Sequence, residues 1–383
     1  MAAALLIVGA LGTGGCGESS PTGPEPETET PDEAAPSRFG TWEVTDGELR
    51  VEPDPDLLVR AMRLDEDGTA RLYFADERIG GVRSVATGTH IGTVPLIIQL
   101  PTVTPGDPTF PGLDVALEGD VLTLTESGGR AVTLERRADL PPGIAPALLP
   151  VVERFDDLPA PDPLTDLAAD GNLLVYNSAT AVEAFDPSTG TMTTAVTQRT
   201  DMIVMSRPRR LTNGAAHRFW VLDRSKPLEL WHRTLGDGLI QLVYDSVVMD
   251  AVDSRLTRID AVAYQELPLG VTGSLFVHGM RTSSHTMISV NITKDPPEVG
   301  DFDPFDRPVH AMDYDNAGLW VIAGSAAPVI AVLNSNTMAV RESYAVPDEN
   351  VTWHGLYLTD ARVHLLGTDP ATGNGVIVLL EHP

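Results

Sequence analysis

Four polar residues fall at corresponding places in a weakly repeating C-terminal half: Asp166, Asp260, His310 and His354, with His217 as a looser fifth. Each sits at the start of an apolar segment of strand type. If equivalent strands surround an axis, two imidazoles and two carboxylates meet on it. By ligand type such a ring suits a divalent metal, or supplies a base and an electrophile for hydrolysis. The competing reading is a solvated channel in which each side chain makes its own hydrogen bonds. Asp313-Tyr-Asp315-Asn316 offers clustered oxygens of the kind calcium takes, but lacks the twelve-residue loop spacing and its terminal Glu. A hairpin turn built on short polar side chains accounts for it better. Gly-x-Ser-x-Gly, His-Glu-x-x-His and Gly-x-x-x-x-Gly-Lys are all missing from the sequence, so no catalytic residue is assigned.

Composition narrows the partners. The chain has 383 residues, 42% of them apolar, and a formal net charge of −28. Its length permits a large buried core in two or three domains. Nucleic acid is excluded as a partner, because phosphate binding needs clustered basic residues on a surface that does not repel it. The same charge disfavours adsorption onto anionic lipid, so membrane attachment has to be covalent. It reads as a solubilising surface, or as attraction for divalent cations and basic partners. The single cysteine, Cys16, forbids an intrachain disulfide, and packing alone must hold the fold.

Cys16 ends a short apolar stretch. Ala2 to Leu11 read AAALLIVGAL, followed by Gly12, Thr13, Gly14 and Gly15; the run is of signal-peptide length and too short to span a bilayer. A glycine-rich nucleotide loop is ruled out, since no helix can begin among Pro21, Pro24, Pro26, Pro31 and Pro36. The segment resembles the bacterial lipoprotein signal, with Thr13 standing where that family usually has Leu and no Lys or Arg before the apolar run. The resemblance implies removal of residues 1–15 and a lipid on Cys16. Gly17, where that family has Asp for inner-membrane retention, implies the outer membrane. Residues 16–38, rich in Pro and Glu, read as an extended tether.

Residues 39–138 carry short strand-type runs: Thr41–Val44, Arg71–Phe74, Gly88–Ile91, Leu96–Leu100, Val115–Leu117, Val121–Thr125 and Val132–Glu135. Gly68, Gly119, Gly128 and Gly129 mark turns between them. Close strands of this kind predict a small barrel or sandwich. Gly40-Thr41-Trp42, the hairpin around Asp65-Glu66-Asp67-Gly68-Thr69, and the closing Leu-Thr-Leu-Thr … Leu-Glu-Arg pattern resemble the lipocalin-like domains of bacterial lipoproteins. The resemblance covers about a quarter of the chain. It implies that Trp42 plugs the barrel floor beneath a late basic residue, Arg136 or Arg137. It leaves open a small hydrophobic ligand inside, or an interior filled by side chains.

After a Pro-rich connector at 139–163, Leu167-Ala-Ala-Asp-Gly-Asn-Leu-Leu-Val175 is echoed by Met312-Asp-Tyr-Asp-Asn-Ala-Gly-Leu-Trp-Val321. Asp186-Pro-Ser-Thr-Gly190 and Leu333-Asn-Ser-Asn-Thr337 follow at similar distances. Further units open at His217, Ser274 and Leu356, a period of about 45 residues that suits a propeller blade. Residues 164–383 are therefore expected to form about five blades, or six if a connector strand completes one. The units resemble bacterial β-propellers of the "Asp-Gly-x-Leu-x-Val … Asp-x-x-Thr-Gly" type, whose motifs mark hairpins rather than substrates.

The expectation is an all-β chain: a lipocalin-like barrel, then a β-propeller, tethered outside the cytoplasm. The favoured role is a non-enzymatic binding or scaffold module that engages a protein, glycan or small ligand through the propeller face, without an organic cofactor. A metal-dependent hydrolase or lactonase using the His/Asp ring is the alternative.

Overall fold

The computed structural model describes residues 37–51, 54–77, 81–91, 96–99, 113–126, 128–196, 202–209, 218–223, 226–236, 239–244, 256–265, 273–282, 284–291, 298–302, 305, 307–324 and 327–383. The expected signal segment and Cys16 lie outside them, as does His217. Among the described residues every named element is a strand.

The first nine strands are β1 (Gly40–Asp46), β2 (Leu49–Val51), β3 (Asp54–Leu64), β4 (Thr69–Asp76), β5 (Val82–Ile91), β6 (Ile97–Gln99), β7 (Asp114–Glu118), β8 (Val121–Thr125) and β9 (Ala131–Arg137). They form one sheet in the order β6-β5-β4-β3-β1-β9-β8-β7, with β2 on β3. Leu96 and Leu113, just ahead of the two edge strands, exchange backbone hydrogen bonds of 2.8 and 2.9 Å. That bridge brings the sheet round on itself as a barrel. Period-two alternation explains the strands: in β8 and β9, Leu122, Leu124, Val132 and Leu134 point inward and are fully buried. The interior is packed with side chains, Trp42, Phe74 and Met62 among the largest.

The long strand β3 escaped the sequence reading for a physical reason. Leu57, Leu58 and Val59 are buried in succession, and a bulge between Val59 and Ala61 resets the phase. Alternation is therefore lost where the eye would look for it.

Twenty-one further strands follow: β10 (Ala147–Leu148), β11 (Val151–Leu158), β12 (Ala168–Asp170), β13 (Leu173–Asn177), β14 (Val182–Asp186), β15 (Thr191–Val196), β16 (Met202–Arg209), β17 (Arg218–Asp223), β18 (Lys226–Gly236), β19 (Leu239–Tyr244), β20 (Arg258–Tyr264), β21 (Ser274–Arg281), β22 (Ser284–Asn291), β23 (Glu298–Phe302), β24 (Val309–Tyr314), β25 (Leu319–Ala323), β26 (Val329–Leu333), β27 (Val340–Ala345), β28 (Thr352–Leu358), β29 (Arg362–Thr368) and β30 (Gly375–Glu381). They make small sheets of successive antiparallel strands: β12–β15, β16–β19, β20–β23, β24–β27 and β28–β30. The first strands of these sheets touch in turn, β12 to β16, β20, β24 and β28, and β28 returns to β12. The arrangement is propeller-like.

Packing between sheets accounts for the continuous apolar runs. In β25 every residue is buried, yet Leu319, Val321 and Ala323 join one core while Trp320 and Ile322 join the next. β26 divides the same way, Val329, Ala331 and Leu333 against Ile330 and Val332. A strand buried on both faces shows no polar alternation.

Residues 139–163, expected to be a Pro-rich connector that could supply a completing strand, hold two strands. β10 adds to β27 in parallel, and β11 pairs with β30 through Arg154↔Val378 and Phe155↔Ile377. β11 thus completes the last sheet with a strand from the beginning of the half and adds no further sheet. It is an edge strand, exposed along most of its length and closely bracketed by Pro150 and Pro159. Polar exposure and flanking prolines suit an edge and disguise it in the sequence.

Candidate functional site

Trp42 on β1 is fully buried and its indole N–H donates to the Arg38 carbonyl at 2.8 Å. The Arg136 guanidinium lies 4.5 Å from the indole centroid and donates to the Phe39 carbonyl at 2.7 Å. Arg137, one residue on and facing the other way, donates to Glu43 at 2.6 Å. Period two on β9 separates these neighbours.

Asp166 is buried and its carboxylate is consumed by backbone. Oδ1 accepts from Leu167 at 2.7 Å and Leu356 at 2.7 Å, and Oδ2 accepts from Met312 at 3.2 Å. Its own N–H donates to the Val204 carbonyl at 2.8 Å. One residue therefore ties the start of its own sheet to three other sheets of the ring. Burial pushes its carboxyl well above the ordinary carboxylate range, against the pull of those N–H groups. Asn177 and Asp313 make similar bridges, accepting from Val204 and Leu358 of the following sheets, each at 2.8 Å.

His310 bonds within its own sheet, and His354 bonds within its sheet and to the Pro163 backbone. His310 Nε2 donates to the Gly324 carbonyl at 2.8 Å, and His354 Nε2 meets Thr368 Oγ1 at 3.1 Å. Burial lowers the pKa of both, that of His354 to about 4; Asp260 pulls that of His310 back up, and the nearby His310 imidazole opposes protonation of His354. Asp166, Asp260, His310 and His354 do not form a shared ligand set among the described residues. The repeat alignment placed them at equivalent strand starts, whereas local bulges and turns aim each one separately. Such bulges separate Val309 from Ala311 and Trp353 from Gly355, flanking His310 and His354.

Asp260 instead meets His278 and His285. All three come from one sheet, on β20, β21 and β22. Asp260 sits in a bulge between Ile259 and Ala261, which turns its side chain out of register. Gly279 makes the bulge possible: a Cβ there would lie 1.9 Å from the Arg258 carbonyl oxygen. His278 and His285 share one face of the β21–β22 hairpin as a diagonal pair, since His278 opposes Met287 and Met280 opposes His285. Their rings stack, 5.3 Å between centroids and 15° apart.

Asp260 Oδ2 lies 3.7 Å from His278 Nδ1 and 3.9 Å from His285 Nδ1. Three ligand atoms, one from each residue, fall within 4.8 Å of one another. Arg258 holds the other carboxylate oxygen of Asp260. His278 is fully buried, its Nε2 is bonded to the Arg307 carbonyl at 2.9 Å, and burial pushes its pKa down to about 3. Chemically, two imidazoles and a carboxylate can ligate a divalent ion. The sequence reading found Asp260 and passed over its partners. His278-Gly-Met-Arg-Thr-Ser-Ser-His285 held the signal, two His flanking a hairpin turn.

Asp315, considered for calcium, builds a turn. Its Oδ1 accepts from Ala317 at 2.8 Å, Gly318 at 3.1 Å and the Trp320 indole at 3.1 Å.

The strand pairing defines an all-β protein, a barrel joined to a propeller-like ring of small sheets. No family model and no curated protein matches it. Among solved structures it is similar to YCF48 bound to D1 peptide, at 10% identity and TM-score 0.32 over 91% of this chain and 97% of that one. Regucalcin from Agrobacterium tumefaciens, a calcium-binding protein, is similar at 11% identity and TM-score 0.31, over 89% and 93%. BamB from Moraxella catarrhalis is similar at 12% and TM-score 0.27, over 88% and 83%. At these scores the architecture rests on the strand pairing of this chain.

Proposed function

We propose that this chain is an extracytoplasmic lipoprotein, held to the outer membrane by a lipid on Cys16, whose ring acts as a binding or scaffold module. In this reading the five sheets are the blades of a five-bladed propeller, and the nine-stranded barrel is a lipocalin-like spacer plugged by Trp42 and Arg136. Residues 16–38 are the tether. The partner is a protein, glycan or small ligand taken up by the loops at the end of the ring where the first strands begin.

The observation that carries the reading is the closure of the ring by β11 on β30. Closure without a disulfide gives a rigid platform with its loops gathered at two ends, and loops on rigid scaffolds carry recognition. The filled barrel interior supports a spacer role over a ligand cavity. The dispersed bonding of Asp166, His310 and His354 removes support from hydrolysis by that ring.

The test begins with the anchor. In the bacterial host, the full chain should take up labelled palmitate and partition with membranes, and Cys16→Ser should do neither. Equal labelling and equal partitioning of the two proteins would refute the lipoprotein reading.

A further inference from the structure

We infer that Asp260, His278 and His285 form a binding site for one divalent transition-metal ion of the zinc class. The inference is independent of the membrane anchor and of any partner at the ring.

The protonation pattern is the first argument. His278 Nε2 faces the Arg307 carbonyl, which can only accept, so the proton of the neutral imidazole sits on Nε2. Nδ1 is then a bare lone pair. It faces Asp260 Oδ2 across 3.7 Å, and both atoms are buried without a hydrogen-bond partner. Two acceptors facing each other out of water repel, and a buried unsatisfied acceptor is costly. A cation between the two atoms relieves the repulsion directly.

Geometry is the second argument. Bonds of about 2.0–2.2 Å at tetrahedral angles put ligand atoms roughly 3.3–3.6 Å apart. The observed 3.7 and 3.9 Å are too long for hydrogen bonds and close to that spacing. The surroundings also match what metal ligands need. A ligating His typically gives its other N–H to a carbonyl, as His278 does, and a ligating carboxylate is held by a second donor, as Arg258 holds Asp260. The nitrogen content of the set favours zinc-class ions over calcium or magnesium, which take oxygen. Three protein ligands leave one tetrahedral position for water.

The experiment is zinc titration of the full chain in detergent, by calorimetry, with a large excess of calcium to occupy the acidic surface. One zinc per chain should bind under calcium excess and raise the thermal midpoint. Cobalt in place of zinc should give visible ligand-field bands from nitrogen coordination. His285→Ala, at the partly exposed position, should weaken zinc by about a hundredfold or more, and Asp260→Asn should do likewise. Circular dichroism in the absence of metal should show both variants folded. His278→Ala tests the buried ligand, with the two other variants standing if it fails to fold. Calcium displacing the zinc, no stoichiometric zinc on the folded wild type, or unchanged affinity in folded His285→Ala would overturn the site.

Discussion

At the scale of single residues, a polar side chain at a strand start had two readings, shared ligand or solvated side chain making its own hydrogen bonds. Only its neighbours decide between them. Asp166 is a hub: its carboxylate satisfies three backbone N–H groups from three segments of the ring. The residue type and its place at a strand start were legible, but not the donors, because Met312 and Leu356 are far away in sequence. Asp166→Ala would leave those donors buried without an acceptor, at roughly 1–3 kcal/mol each. Urea unfolding should therefore show a loss of at least about 3 kcal/mol. Asp166→Asn keeps one oxygen acceptor and should lose distinctly less. A loss below about 1 kcal/mol for the alanine variant would mean that water or a neighbour replaces the carboxylate, and that the hub does not hold the sheets.

Among elements, legibility followed the physics of burial. The barrel strands with one wet face announced themselves by alternation, as in Val121-Leu-Thr-Leu-Thr125. The bulged β3 and the exposed edge strand β11 did not, because neither presents a regular apolar face. Turns were partly legible. The reading paired Asp186–Gly190 with Leu333–Thr337, and the structure shows the common device: Asp186 and Asn334 accept from backbone two residues on, at 2.9 Å in both cases. A third copy went unnoticed at Asp369-Pro-Ala-Thr-Gly373, where Asp369 accepts from Ala371 at 2.9 Å and the Gly373 N–H donates to the Asp369 carbonyl at 2.7 Å. Gly373 has φ of 75° and open space where a Cβ would go. Gly373→Ala therefore isolates the conformational cost of a left-handed residue. The thermal midpoint should fall by the equivalent of about 1 kcal/mol, with no change in circular dichroism. An unchanged or raised midpoint would mean that the turn relaxes out of the left-handed region at no cost.

For the molecule as a whole, the sequence suggested a barrel and a ring separated by a connector, and the residues from Pro36 onward form one compact unit. The join has a charged centre. Asp76 at the end of β4 pairs with Arg307 just ahead of β24, with side-chain exposures of only 3% and 4%. Val82 of the barrel enters a core of the ring, and Ala327 of the ring enters the barrel core. Nothing in either local sequence announces this pair, since Asp76-Glu77-Arg78 and Asp306-Arg307 both read as charged surface in a chain of net charge −28. A buried ion pair offsets its desolvation only while both members are present. Asp76→Leu alone leaves a buried guanidinium, and Arg307→Met alone leaves a buried carboxylate. Each should cost about 3–5 kcal/mol in urea unfolding. The double variant removes both charges and should cost clearly less than the two losses added, with a coupling energy of about 2 kcal/mol or more. Strict additivity would mean that the two charges are solvated separately, and that apolar contacts alone join barrel to ring.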